Sequence, residues 1–192
     1  VAAESAVKGF LTDYYCTSES WSVRTSAQRV LEATNSWLHS QTRSQYAYDR
    51  DRGYVCTLSA LVIKSTTGHI FHVGDSRIYR LRGNQLHQLT FDHSLQWELR
   101  ASGQLPPGSD IAATVPKNVI TRSLGPNANV QIDLEGPFPI ELGDVYLLCS
   151  DGLTGRVEDH ELGPIMGALP PEEAARVLVD LANLRGGPDN CT

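Results

Sequence analysis

Two periodicities divide this chain. At its start, Ala3, Val7, Phe10, Leu11 and Tyr14 recur at intervals of three and four, the spacing that lines one face of an α-helix. A second stripe, Val23, Ala27, Val30, Leu31, Thr34, Trp37 and Leu38, predicts a helix over 22–40, with Thr25 and Gln28 spaced as a capping box. The polar stretch 41–53 reads as a loop, and after it the period changes. Residues 57–64 (TLSALVIK) form a short apolar run, 65–68 (STTG) a turn and 69–73 a returning strand. The pattern repeats at 77–82, Gly83-Asn84 and 85–89, which predicts a meander of short antiparallel strands. A short helix is expected over 92–102 and stops at Gly103. Residues 105–116 are rich in Pro and Gly and read as a surface flap. Further strands are expected at 119–123, 130–134 and 145–150. Two helices close the chain, one near 158–167 and one opened by Pro170-Pro171-Glu172-Glu173. The second carries the stripe Ala174, Val177, Leu178, Leu181 and Leu184 and ends at Gly186-Gly187. Helices, then strands, then helices again give an α+β fold, not an alternating β-α-β one. Two antiparallel sheets flanked by helix pairs would use all these faces.

Composition narrows the partners. The 192 residues suit one domain, expected over 1–192, with a sizeable core. Lys plus Arg is 16 against 22 Asp plus Glu, a formal charge of −6. That balance disfavours nucleic acid and anionic membranes and suits cations. The start of the chain has no basic, apolar leader pattern, and the longest apolar runs, such as 145–149, are far short of a membrane span. No membrane contact by this domain is expected. Cys16, Cys56, Cys149 and Cys191 form no C-x-x-C pair. Zinc and thioredoxin-type sites are therefore disfavoured, and reduced thiols in a cytoplasmic protein are expected; the even count leaves a disulfide pair open.

The candidate chemistry lies in three segments of one design. Phe71-His72-Val73-Gly74-Asp75-Ser76-Arg77, Leu147-Leu148-Cys149-Ser150-Asp151-Gly152-Leu153 and Gly186-Gly187-Pro188-Asp189-Asn190 each set an Asp beside Gly or a small polar residue after an apolar element. Any one of them alone reads as a turn. Together, three carboxylates at element ends can share a cleft, and oxygen ligands are what Mg²⁺ and Mn²⁺ require. Carboxylates around a pair of such ions suit phosphoryl chemistry.

These segments carry a family resemblance. Residues 56–63 (CTLSALVI), Val73-Gly74-Asp75-Ser76-Arg77-Ile78-Tyr79, Leu89-Thr90-Phe91-Asp92-His93-Ser94-Leu95, Ile120-Thr121-Arg122-Ser123-Leu124-Gly125, Ser150-Asp151-Gly152-Leu153-Thr154 and Gly187-Pro188-Asp189-Asn190 together resemble the PPM (protein phosphatase 2C) family of metal-dependent serine/threonine phosphatases. Residues 54–192 match in order and spacing, and 1–41 resemble the family's first helix pair. The opening, with Tyr14-Tyr15-Cys16-Thr17-Ser18-Glu19, is similar to bacterial proteins that fuse such a phosphatase to a kinase domain. The resemblance implies a four-layer α-β-β-α sandwich and a centre of two Mn²⁺ or Mg²⁺ ions. It implies hydrolysis of phosphoserine and phosphothreonine in signalling phosphoproteins by a metal-activated water. Asp151 and Asp189 are then the catalytic pair, Asp75, Asp151, Gly152 and Asp189 the metal set, and Asp75 the weaker, third-metal position.

The sequence also departs from the family. The segment with a phosphate-binding Arg, and the Asp-Gly-x-Gly-Gly turn whose Asp bridges both metals, is not found ahead of Val1, and no strand follows Asn190. This reads as a domain truncated at both ends, expected to be inactive without its first ligand segment. Family members often carry a third-metal Asp four residues after the Ser-Asp-Gly aspartate; here that place is Gly155, which speaks against a third site. The competing reading is a non-catalytic pseudophosphatase or regulatory module of the same fold. An Asp-based Ca²⁺ protein would need an EF-hand loop, and none is present.

The remaining candidates read as structural. Histidines 39, 69, 72, 87, 93 and 160 lack ligand spacing, and His93 fits a helix start better than a catalytic acid. Arg77 and Arg122 fit salt bridges better than phosphate contacts. Trp21, Trp37 and Trp97 are expected in the core or partly buried. The glycine-rich pieces lack P-loop or Rossmann spacing.

Overall fold

The change of period near residue 57 is where helix gives way to sheet. A computed structural model describes residues 1–45, 53–104, 115–116, 119–187 and 189–192. Among these the chain runs α1 (Ala2–Tyr15), α2 (Val23–Gln45), β1 (Leu58–Lys64), β2 (Thr67–Val73), β3 (Arg77–Arg82), β4 (Gln85–Gln88), α3 (Leu95–Ala101), β5 (Asp133–Pro139), β6 (Val145–Cys149), α4 (Asp151–Thr154), α5 (Asp159–Ala168) and α6 (Pro171–Leu184). The described strands form two antiparallel sheets, ordered β1-β2-β5 and β4-β3-β6.

Alternation along each strand assigns its faces. Phe71 and Val73 of β2 turn towards α1 and α2 and join Phe10, Val30, Leu31, Leu38 and Leu58 in one core. Tyr79 and Leu81 of β3 turn towards α5 and α6 and join Leu153, Leu162, Met166 and Leu178 in a second. The alternate residues, Ile70 and His72 on β2 and Ile78 on β3, are buried on the opposite faces, where the sheets meet. The result is the expected α-β-β-α sandwich, with two apolar cores outside the sheets. Burying one large aliphatic side chain in either contributes roughly 1.5–3 kcal/mol.

Several elements differ from what the sequence predicts. In α1 the face that packs is Ala2, Ala6, Phe10 and Tyr14, whereas Val7 and Leu11 are exposed; small alanines let the helix approach its neighbour closely. α2 continues to Gln45 through part of the expected loop, and 46–52 lie outside the described residues. Its first turn is capped by Ser22, whose Oγ accepts from the Thr25 N–H at 3.1 Å, while Gln28 reaches on to Glu32. No strand forms at 119–123. The backbone there pairs with the α3 entry instead, through Leu95 N–H to the Val119 carbonyl and Thr121 N–H to the His93 carbonyl, both 2.9 Å. β5 lies further along than 130–134. Pro137 and Pro139 are tolerated because β5 is an edge strand among those described. Ser150-Asp151-Gly152 opens a short helix, α4, that alternation did not signal. Trp21 and Trp37 are exposed, not in the core. The flap at 105–116 falls almost wholly outside the described residues. All four cysteines are free, and no described helix is long and apolar enough to cross a membrane.

Candidate metal centre

The chain passes from the first sheet to the second at Gly74-Asp75-Ser76, between β2 and β3. Gly74 has a φ of 114°, and any Cβ there would overlap the Thr57 side chain, so only glycine admits this crossing. Ser76 Oγ and Thr57 Oγ1 lie 2.7 Å apart and tie the turn to the approach of β1. β3 and β6 pair with Arg77 opposite Cys149. Continued two residues, that antiparallel register sets Asp75 against Asp151.

Asp151 follows β6 and opens α4. Residues 190–192 close over it. The Ser150 N–H donates to the Thr192 carbonyl, the Thr192 N–H donates to Ser150 Oγ, and the Ser150 hydroxyl donates to the Asn190 carbonyl, each at 3.1 Å. Gly152 is buried, and a Cβ on it would run into that Asn190 carbonyl. The missing side chain therefore lets the segment carrying Asp189 lie against the Asp151 turn. Asp189 Oδ1 accepts from the Asn190 N–H at 2.7 Å. Asp75, Asp151 and Gly152 thus lie together at one end of the sandwich, with the backbone of 190–192 against the Asp151 turn.

Electrostatics agree with this clustering. Burial, and after it the negative charge of Asp151, pushes the Asp75 carboxyl up to about 6. A divalent cation beside the two carboxylates would relieve that repulsion. The gathered donors are all oxygens, a set matched to Mg²⁺ or Mn²⁺. Among the described residues no three His, Cys, Asp or Glu side chains close on one point, so an ion here would take one or two carboxylates and keep several waters, as these metals do. The residues fit such ions. Gly155 offers no carboxylate; its N–H donates to the Asp151 carbonyl at 2.8 Å.

A polar scaffold surrounds the Asp75 turn. Arg77 grips Asp92 with two arms, Nε to Oδ1 at 2.8 Å and Nη2 to Oδ2 at 2.6 Å. Its Nη1 donates to the Tyr79 hydroxyl, which donates to Asp159 at the start of α5. Arg122 Nη1 donates to Asp133 Oδ1 at 2.9 Å. Burial works to raise the Asp133 carboxyl, but the hydrogen bonds from His93 and Arg122 and the Arg122 charge outweigh it and hold it below its ordinary range. Both arginines are therefore in salt bridges. His93 lies just ahead of Ser94, whose Oγ caps α3 by accepting from the Trp97 N–H. Sequence pattern assigns no role to Asp92 or Asp133; the run Leu89–Leu95 that holds Asp92 carries only the family resemblance.

No family profile matches the chain. The chain is 40% identical over 171 residues to protein phosphatase PhpP of Streptococcus pneumoniae, covering 88% of this chain and 67% of that protein. It is 34% identical over 201 residues to the serine/threonine phosphatase stp of Listeria welshimeri, covering all of this chain and 76% of the relative. The crystal structure of the catalytic domain of the phosphatase PstP in complex with two manganese ions superposes with a TM-score of 0.80 at 26% identity, over 99% of this chain and 77% of that one. The chain belongs to the PPM (protein phosphatase 2C) family of metal-dependent serine/threonine protein phosphatases, and so to the hydrolases that dephosphorylate proteins.

Proposed function

We propose that Asp151 and Asp189 hold the two catalytic Mn²⁺ or Mg²⁺ ions, with Gly152 admitting the chain between them, and that Asp75 completes the metal set from the β2–β3 crossing. The observation that carries this reading is that Asp75 and Asp151, from two distant segments, meet at one sheet end near enough to raise a carboxyl pKa, with the segment that carries Asp189 bonded against the Asp151 turn. Bound divalent ions supply an activated water and neutralise the phosphoryl oxygens of phosphoserine or phosphothreonine. The residues around them fix the carboxylates and keep the turn between the sheets rigid.

Water is the nucleophile in this reading because the thiols are unsuited to the task. Burial pushes Cys56 up to about 11 and Cys149 up to about 12 and raises Cys191, whereas a nucleophilic cysteine needs a lowered pKa. Cys16 is exposed beyond the end of α1. We place the domain, spanning 1–192, in the cytoplasm, acting on phosphorylated proteins and, in one form of the reading, joined in its parent chain to a kinase domain. Its formal charge of −6 supports protein over nucleic acid as the substrate carrier.

The test is hydrolysis of a phosphothreonine peptide, with and without Mn²⁺, by the protein as the cell makes it and by its Asp151→Asn variant. Turnover that needs Mn²⁺ and falls at least about a hundredfold in the variant is expected. A folded protein with no metal-dependent turnover would move the conclusion to a non-catalytic module of the same fold.

A further inference from the structure

His93 is 3% exposed, and both of its ring nitrogens are engaged. The Gly74 N–H donates to Nδ1 at 3.0 Å, so the ring proton sits on Nε2, which donates to Asp133 Oδ2 at 2.9 Å. Asp133 is held in turn by Arg122. The main chain of His93 makes a second bond to the same glycine, its N–H donating to the Gly74 carbonyl at 2.8 Å. The His72 ring packs on it with centroids 4.8 Å apart. One residue earlier, Asp92 takes the two-armed grip of Arg77. The dipeptide Asp92-His93 therefore holds the chain on both sides of Asp75: Gly74 through the imidazole and Arg77 through the carboxylate. A histidine so buried and so fully bonded has no path to a phosphorylated substrate, so a role as catalytic acid is excluded.

We propose that His93 is a positioning residue for the metal centre: the Arg122–Asp133–His93 relay fixes the Gly74 peptide and thereby aims the carboxylate of Asp75. This rests on the reading of Asp75 as a metal ligand. Gly74 has no side chain and a φ of 114°, so its peptide plane has more freedom than any other residue's would, and an external acceptor for its N–H is what removes that freedom. Groups that orient ligands in this way commonly change metal affinity by about 10–100-fold when lost.

The two amide replacements of histidine separate the halves of the relay. His93→Asn puts an amide oxygen near the Nδ1 position and keeps an acceptor for the Gly74 N–H. His93→Gln reaches the Nε2 position, keeps the bond to Asp133 and leaves Gly74 unpartnered. Mn²⁺ binding is followed by the electron paramagnetic resonance signal of free Mn²⁺, beside the Mn²⁺ concentration that half-activates phosphopeptide hydrolysis. Asp75→Asn serves as the reference for loss of the ligand. The expected result is that His93→Gln and Asp75→Asn weaken the same class of Mn²⁺ site by about tenfold or more, with the substrate KM unmoved, while His93→Asn stays near the wild type. Should His93→Gln fail to fold, His93→Leu, which fills the ring's space but offers the Gly74 N–H no acceptor, carries the same expectation. If Asp75→Asn weakens Mn²⁺ binding and His93→Gln does not, the relay is overturned and the metal reading stands. The relay is likewise overturned if His93→Asn is as damaging as His93→Gln. If Asp75→Asn leaves Mn²⁺ binding intact, the metal reading of Asp75 falls and the relay falls with it.

Discussion

At the scale of single residues, the proposed centre depends as much on missing side chains as on carboxylates. Gly152 is the clearest case: a Cβ there would press on the Asn190 carbonyl, and the segment bearing Asp189 would have to lift away from Asp151. Gly152→Ala is therefore expected to reduce phosphopeptide turnover by about tenfold or more. It should lower the thermal midpoint by only a few degrees, since Asp189, Asn190 and Thr192, which it would displace, are exposed. Parallel activity and melting measurements check this; unchanged turnover would show that the segment is not held where the geometry sets it. The candidate aspartates stand out in the sequence, because Asp beside Gly at the end of an apolar run is a local signal. Their scaffold does not. Asp92, His93 and Asp133 act through partners 15–40 residues away, and Asn35 bonds to the 125–128 loop across more than 90 residues of chain. No local pattern encodes such pairs.

At the scale of elements, periodicity located the helices and strands but misjudged how wide each buried face is. α6 shows the difference. Its apolar stripe includes both Leu178 and Leu184, yet Leu178 is 1% exposed and Leu184 is 84% exposed, because the face that packs is the narrow line Ala174, Leu178 and Ala182, and Leu184 lies off it. Leu178→Ala is expected to cost about 2–5 kcal/mol by opening a cavity in the core under α5 and α6, and Leu184→Ala to stay within about 0.5 kcal/mol of wild type. Urea midpoints of the two variants decide it; equal losses would mean the whole stripe is buried. The run 119–123 fails for a related reason. Its composition suits a strand, but its backbone partners are the residues entering α3, and apolar composition does not reveal which backbone a segment will meet.

At the scale of the molecule, each sheet turns one face to oil and the other to a partly polar layer. In that layer His72 lies 2.9 Å from Ser59 Oγ and 3.0 Å from the Phe91 carbonyl. Burial, with the neighbouring His93 adding to it, lowers its pKa to about 4, against the pull of the Phe91 carbonyl, Asp133 and Asp92. The unfolded chain protonates this histidine near 6.5. Between pH 6.5 and 4 the unfolded state thus binds more protons than the native one, so stability falls as pH falls through that window, by on the order of 3 kcal/mol once pH lies below both values. Urea midpoints at pH 7 and pH 5 should show the decline, and His72→Gln should remove this part of it; an identical slope in the variant would assign the decline to other groups.

The grip of Arg77 on Asp92 has an evolutionary consequence. Residues in the two outer cores answer mainly to volume, so one aliphatic side chain can stand in for another and neighbours can absorb the change. Arg77 and Asp92 answer to donor and acceptor identity, and a single replacement strands a largely buried partner. Descendants of this chain should therefore drift freely through single substitutions in the outer cores, while this pair changes only when both positions change together. A library randomising positions 77 and 92 jointly should return active clones as matched donor–acceptor pairs, with few surviving mixtures of one old and one new residue.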